Sequence, residues 1–420
     1  MLADSIVPEY VSHGDAARAA EIIDAVRDVD DADLTARITA LRGIVEAMHG
    51  NDPRPFLERA FRTASVGSSA TTAVVHHRAG VAYFNARLPH EAEKHALQAL
   101  WLCDADGQRR LAARAASVLY GVHYHLTGDM HSARYYAEVV AVEAAAAGEM
   151  TIRRLFLCAQ LDLAVSFGEW DRARSLLDLL RRDRWYESYS GGQVAQFGMI
   201  MLHGHSGDFA AMKGAVDTFI ESANSNADYA LGYALSGLAL AGSGVDDEAS
   251  KAARRAIGLS REQGVSELAY HSLRRRLASV IGAYVSVLIG DVHRGSRALE
   301  SRTKLPGYVG AFARALYASA RGAHVDVADP TLQNVRGLVE LLAGIKRSRL
   351  DRIQRIPERV RTLTHTELTL LRATATGKTN GEIAKERGVT RNAVERRLMS
   401  AYEKLGVRNR TEAIAKLAEI

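Results

Sequence analysis

The chain has little of the chemistry that staples, kinks or anchors a protein. Among its 420 residues there are two cysteines, Cys103 and Cys158. That is too few for a disulfide framework, and no C-x-x-C pair exists to hold zinc or run thiol exchange. A reducing cytoplasm is the natural expectation. Prolines number seven, so few positions interrupt a helix. No uncharged apolar run reaches the ~18 residues that a membrane span needs. The first residues, M-L-A-D-S-I-V-P-E-Y, show neither a basic start nor an apolar stretch. No signal peptide and no membrane partner are therefore expected. Long strand-like alternation is missing from residues 1–330, where alanine and leucine abound.

Catalytic signatures are missing too. H-E-x-x-H and G-x-S-x-G do not occur. The T-G-K-T of 376–379 is only partly like a phosphate loop. Arg372 stands where such a loop needs glycine, and the preceding segment reads as helix rather than strand. His123/His125 and His203/His205 form H-x-H pairs. On a helix, residues two apart point roughly 200° apart, so neither pair can close on one ion. No enzyme activity, catalytic residue, cofactor or metal site is expected.

What is present is helix and an uneven charge. Hydrophobic residues make up 47% and charged residues 25%, as in ordinary globular domains. The formal net charge of +5 conceals an asymmetry. Lys346 to Ile420 holds 18 Lys and Arg against nine Asp and Glu, whereas residues 1–345 hold 36 against 40. A basic tail on a slightly acidic body points to a polyanionic partner for the tail alone.

Residues 1–330 repeat loosely. A turn recurs at Gly14, Gly50, Arg87, Gly128, Gly168, Gly207, Gly244 and Gly290, at spacings of 36, 37, 41, 40, 39, 37 and 46. Asp15, Asp129, Glu169, Asp208 and Asp291 follow directly. The residue five on is Ala19, Ala92, Ala133, Ala173 or Ala249, and otherwise Pro55, Met212 or Gly295. Glycine ends one helix, the acid caps the next, and the small residue lets neighbours approach. A unit of about 40 residues thus holds two antiparallel helices, and stacked units form a curved solenoid with a long concave surface.

The clearest copies, G-D-M-H-S-A-R-Y-Y-A (128–137) and G-E-W-D-R-A-R-S-L-L (168–177), resemble tetratricopeptide (TPR) repeats. Their period exceeds the usual ~34 residues. They are more similar to the long, degenerate TPR-like repeats of maltose-regulator-type transcription activators. No nucleotide-binding domain precedes them, which departs from that type. Aromatic and polar residues on the first helices suit a groove for a peptide, protein or small-molecule effector. Tyr120, Tyr124, Arg154 and Tyr233 are the candidates, with Tyr83, Gln160, Gln196 and Tyr229 beside them.

Asp329 and Pro330 mark a boundary. Residues 331–356 read as a helix with Leu332, Val335, Leu338, Val339 and Leu342 on one side. Its second half carries Lys346, Arg347, Arg349, Arg352 and Arg355, and Pro357 should end it. The expected domains are a helical-repeat region at 1–330, a basic helical linker at 331–362 and a terminal domain at 363–420.

The terminal domain is written as four short helices. Gly388 makes the turn between the second and third, and Thr390 is placed to cap the third. That helix buries Val394, Leu398, Ala401 and Leu405 and exposes Asn392, Glu395, Arg396 and Met399. Long hydrogen-bonding side chains on one face are what a helix needs to read base edges in a major groove.

The motifs here are Leu363-Thr364 with Glu367, then Thr379-Asn380-x-Glu382-Ile383-Ala384, then Val394 to Val407, with Arg410, Glu412 and Ala413 in register. They resemble the LuxR-type DNA-binding domain across 363–417. The resemblance implies a recognition helix at about 391–405, lying in the major groove of double-stranded DNA. It puts Glu395, Arg396 and Met399, with Asn392, at the bases. Thr379, Asn380, Arg391, Arg397, Lys404 and Arg408 become phosphate candidates. Ile414, Leu417 and Ala418 match the dimerisation helix, which implies a homodimer on two half-sites. RNA polymerase is a further partner compatible with this reading. Two positions depart from the family: Glu395 replaces the usual lysine and Arg397 the usual histidine.

The expected fold is therefore all-α, a TPR-like solenoid followed by a four-helix LuxR-type domain. The expected function is a DNA-binding transcription regulator whose solenoid senses an effector or mediates self-association. The alternative is a protein-interaction scaffold with a degenerate DNA-binding tail.

Overall fold

Left-handed turns set the architecture. The computed structural model describes residues 16–26, 31–65, 67–106, 108–182, 189–223, 225–261, 269–305, 307–323, 325–326, 330–355 and 363–418. Within them all regular structure is helical. The order begins α1 (Ala16–Asp24), α2 (Ala32–Met48), α3 (Arg54–Ala64), α4 (Ser69–Asn85), α5 (Pro89–Asp106) and α6 (Arg109–Gly121). A π-helical segment, Val122–Thr127, continues α6. Then come α7 (Met130–Ala146), α8 (Met150–Phe167), α9 (Trp170–Arg181), α10 (Tyr189–His205), α11 (Phe209–Glu221), α12 (Asn226–Ser243) and α13 (Asp246–Leu259). The series of pairs ends with α14 (Ala269–Leu288), α15 (Val292–Glu300) and α16 (Gly307–Ala320). A 3₁₀ turn (Pro330–Val335) leads into α17 (Arg336–Arg355), and α18 (His365–Ala375), α19 (Asn380–Arg387), α20 (Arg391–Leu405) and α21 (Arg410–Ala418) complete the chain.

Every repeat anchor within the described residues has positive φ: Gly50 at 82°, Arg87 at 58°, Gly128 at 76°, Gly168 at 73°, Gly207 at 77°, Gly244 at 82° and Gly290 at 98°. Gly14 and Asp15 lie outside the described residues. Only a residue without Cβ adopts this conformation at no steric cost, which explains the glycines and makes Arg87 the exception. Three of the acids do cap. Asp129, Asp208 and Asp291 accept from the backbone N–H groups of Ser132, Ala211 and Arg294. Glu169 does not cap. It accepts from Arg134 at 2.6 Å and Arg172 at 3.4 Å, tying α7 to α9.

The small residue five on is buried as the packing argument requires. Ala92, Ala133, Ala173, Ala249 and Met212 are all 0% exposed. A Cβ on Gly295 would meet the carbonyl oxygen of Ala283 at 2.8 Å. Pro55 departs from the rule and is exposed. There the close approach is made by Gly43 instead, where a Cβ would lie 3.0 Å from a Leu57 methyl.

The chain divides into two compact units, 1–345 and 346–420. The division falls inside α17, beyond the boundary expected at Pro330. Leu332, Val335, Leu338, Val339, Leu342 and Ile345 are buried in the core of the first unit. The 3₁₀ turn packs on α8. Trp170 Nε1 donates to Glu340 Oε2 at 2.9 Å, and Arg336 Nε donates to Glu340 Oε1 at 2.7 Å. The start of the expected linker is thus a structural part of the repeat region. Pro357 and the side chains of Arg352 and Arg355 lie outside the described residues. The π segment likewise packs against α14, far along the sequence. These contacts join elements that stand far apart in the sequence within the first unit.

No helix among the described residues is long and apolar enough to cross a membrane. Cys103 and Cys158 are buried and are not joined in a disulfide.

The packing of α17 can be tested at two of its glycines. A Cβ at Gly337 would fall 1.8 Å from the Val165 carbonyl oxygen, whereas Gly344 faces open space. Gly337→Ala should cost ~1–3 kcal/mol of stability by overpacking. Gly344→Ala should add ~0.5–1 kcal/mol through helix propensity. Chemical denaturation of both variants checks the pair.

Candidate nucleic-acid interface

The second unit is built from caps. Thr364 and Glu367 form a capping box at α18, and Thr379 and Glu382 form another at α19. In each, the hydroxyl accepts from the N–H three residues on, and the carboxylate accepts from the threonine N–H at 2.7 Å. Gly388 (φ 62°) ends α19, and Val389 N–H closes the turn on the Ala384 carbonyl at 3.0 Å. Thr390 then accepts from Ala393 N–H and starts α20. Val394, Leu398, Ala401 and Leu405 are buried against Leu370, Leu371, Ile383, Ala384 and Ala413. The T-G-K-T stretch is a polar turn, with Gly377 at φ 88°, and Lys378 Nζ donates to Glu386 Oε1 at 2.7 Å.

Glu367 joins the first helix to the third. Its side chain is 6% exposed and receives Lys404 Nζ at 2.7 and 2.9 Å, Ser400 Oγ at 2.7 Å and Thr364 Oγ1 at 2.9 Å. Burial alone would raise its pKa. The hydrogen bonds from Lys404, the Thr364 backbone and Ser400 outweigh burial and bring it down to about 2. Lys404 was expected at phosphate; without nucleic acid its ammonium is engaged by Glu367. Arg410 makes a second tie, donating from Nη2 to the Thr374 and Lys378 carbonyls at 2.8 Å each.

The outward face of α20 carries Asn392, Arg396 and Arg397, all exposed, and Met399, 64% exposed. Glu395 is not free on this face. Arg391 Nε donates to its Oε1 at 2.8 Å, and Asn380 hydrogen-bonds it from the start of α19. These contacts, the Arg391 bond first, hold its carboxyl below the ordinary value. Thr379 uses its hydroxyl within the cap. The Arg408 side chain is exposed, while its backbone N–H donates to Glu412 Oε2 at 2.8 Å. Leu417 packs against the domain's own core, Ile414 is half-buried, and the side chain of Ala418 lies outside those described.

The groove candidates of the first unit separate. Tyr120 and Tyr124 stack on each other, with ring centroids 5.3 Å apart. Tyr233 lies under the Arg255 guanidinium, 4.2 Å from centroid to carbon, and joins α12 to α13. Arg154 is half-buried on α8. The H-x-H pairs diverge. His123 stacks on Tyr136 and His125 meets Tyr124 edge-on, while His205 stacks on Trp170 at 3.8 Å. Glu367 entered the sequence reading only as a motif position, and Ser400 not at all. The T-x-x-E box was the available signal that Glu367 turns inward.

Caps, turn and outward polar face together define a helix-turn-helix domain of the LuxR type. Residues 361–417 match the family described as "GerE: Bacterial regulatory proteins, luxR family". A stretch of 85 residues is 39% identical to the "Probable transcriptional regulatory protein SgaR" of Hyphomicrobium methylovorum. That stretch covers 19% of this chain and 39% of the relative.

The Glu367 node makes stability depend on acid. Its folded pKa, about 2, lies below the ordinary 4.5. The stabilisation is complete above the ordinary value and is lost as pH falls from there towards the folded one. Glu367→Gln should flatten that part of the acid-unfolding curve of the second unit. Lys404→Met, which leaves the carboxylate without its cation, should cost ~1–3 kcal/mol at neutral pH. Circular dichroism against pH and denaturant reads both.

Proposed function

We propose that the protein is a DNA-binding transcription regulator, with α20 entering the major groove and an effector acting through the repeat unit. The observation that carries this reading is the exposed face of Asn392, Arg396, Arg397 and Met399 on a capped and braced helix-turn-helix. The excess of basic residues after Lys346 supports it, because phosphate contacts supply much of the affinity for DNA.

In this reading Arg396 donates two bonds to a guanine edge, and Met399 gives apolar contact beside it. Glu395 stays with Arg391 and Asn380, which removes most of its repulsion from phosphate. Alternatively it accepts from a cytosine amino group once Arg391 swings to the backbone. Asn380 and the start of α19 meet phosphate, and Arg397 and Arg408 add further contacts. Pairing of two copies through α21 would place two recognition helices on adjacent half-sites. Leu417 is largely used within its own domain, so Ile414 carries most of that contact. The effector changes how the two DNA-binding units are presented, and RNA polymerase is the downstream partner.

Arg396→Ala in the full chain should weaken binding to the preferred site by ~1–3 kcal/mol and relax the base preference there. Arg397→Ala should weaken binding to all sequences alike and reduce the salt slope by ~1. Fluorescence anisotropy at several salt concentrations separates the two. Equal behaviour of both variants on all sequences would contradict the assigned roles.

A further inference from the structure

The interior of the first unit holds a group of side chains that the DNA-binding reading does not use. At its centre is Asp162 on α8. Its Oδ1 is sealed from solvent and has no hydrogen-bond partner among the described residues. A buried acceptor left in that state costs free energy, which a water or a ligand group that donates to it would recover.

A cluster of aromatic rings lies near it. Tyr120 and Tyr124 stack at 5.3 Å, Phe156 meets Tyr120 edge-on at 5.1 Å, and the Tyr308 ring lies 6.4 Å from Tyr124. The Tyr124 and Tyr308 side chains are hydrogen-bonded to each other. The carboxyl is within electrostatic reach of Tyr120, Tyr124 and Tyr308. Tyr124 is presented by the π-helical segment, an uncommon geometry that often marks functional positions. Four separate elements contribute: α6 with its π extension, α8, α14 and α16.

We infer that this group is a binding site for a small molecule with an amine and an aromatic body. The amine meets Asp162 and the body lies on the tyrosine rings. The site rests on the reading that the repeat unit senses an effector, and it names the chemistry of that effector. A carboxylate close to aromatic rings is suited to ammonium, through a charge-assisted hydrogen bond and cation–π contact.

The charges nearby have been accounted for. Arg274 of α14 is paired with Asp228 of α12. Arg276 of α14 interacts with Tyr308 and is desolvated, and it would take the carboxylate of an aromatic amino acid. Burial holds His125 at about 3, and therefore neutral, and pushes the neighbouring Cys158 thiol up to about 12. Burial also raises Asp162 to about 8, against the pull of Arg274. At neutral pH the empty site is thus mostly protonated, and an incoming ammonium displaces that proton to solvent.

Calorimetry on the full chain tests the site with four probes sharing one ring: phenethylamine, phenylalanine, phenethyl alcohol and phenylacetate. At least one of the two amine-bearing probes should bind at least about tenfold more tightly than the alcohol and the acid. Phenylalanine binding more tightly than phenethylamine would assign Arg276 a role, and the reverse order would leave Asp162 and the rings as the whole site. Repeating the titration at pH 7 in two buffers of different ionisation enthalpy should reveal release of most of a proton per ligand. Asp162→Asn should abolish binding without lowering the melting temperature, since it removes an unpartnered carboxyl.

Absence of saturable binding by both amines overturns the site. So does binding without proton release, or a lower-melting Asp162→Asn that still binds. DNA affinity measured in parallel separates the two claims. Salt-sensitive DNA binding without amine binding removes the site and keeps the regulator. Amine binding that leaves DNA affinity unchanged keeps the site and removes its role as effector site.

Discussion

A single buried carboxylate holds the second unit in the form that matters. Glu367 caps α18 through Thr364 and is gripped by Ser400 and Lys404 of α20. Of the five hydrogen bonds it accepts, three come from α20 and add to apolar packing in fixing the axial position and rotation of that helix. Leu398, Ala401 and Leu405 bury the inner stripe, and Glu367 stops it from slipping. Rotation matters because the outer face has to be presented as a unit. Neighbours such as Arg396 and Arg397 point about 100° apart on a helix, so its rotation decides which of them the outer face presents.

The outer face is itself organised before any nucleic acid arrives. Glu395 would ordinarily oppose a polyanion, yet it is neutralised by Arg391 and held by Asn380. That arrangement joins α19 to α20 across the turn at Gly388. It leaves Arg396, Arg397, Asn392 and Met399 as the side chains with freedom to adapt. An exposed ion pair of this kind adds little stability. Its consequence is electrostatic: one carboxylate on the binding face is cancelled locally.

Much of this was legible in the sequence, for reasons that can be named. The hairpin turns announced themselves because left-handed backbone selects glycine, and acid after glycine marks the next helix start. Even Arg87, the non-glycine anchor, was found by spacing. The terminal domain was legible because T-x-x-E occurs twice and Gly388 and Thr390 separate the helices. What stayed hidden depends on contacts between distant positions. Nothing local marks Trp170 as a partner of Glu340, so residues 332–345 read as a linker rather than as core. The pairing of Lys404 with Glu367 stayed hidden because Glu367 lies two helices earlier. Tyr233 looked like a groove residue because Arg255, which covers it, sits on another helix. Asp162 interacts with tyrosines of α6, the π segment and α16, and sequence order places none of them beside it.

The central claim is that α20 reads sequence. Selection of bound fragments from a random pool of double-stranded DNA by the full-length chain tests it most directly. The account predicts enrichment of a short motif, present as paired half-sites, with a guanine at the position whose preference is lost in Arg396→Ala. Recovery of fragments with no enrichment over the starting pool, or of a motif unchanged in Arg396→Ala, would contradict it.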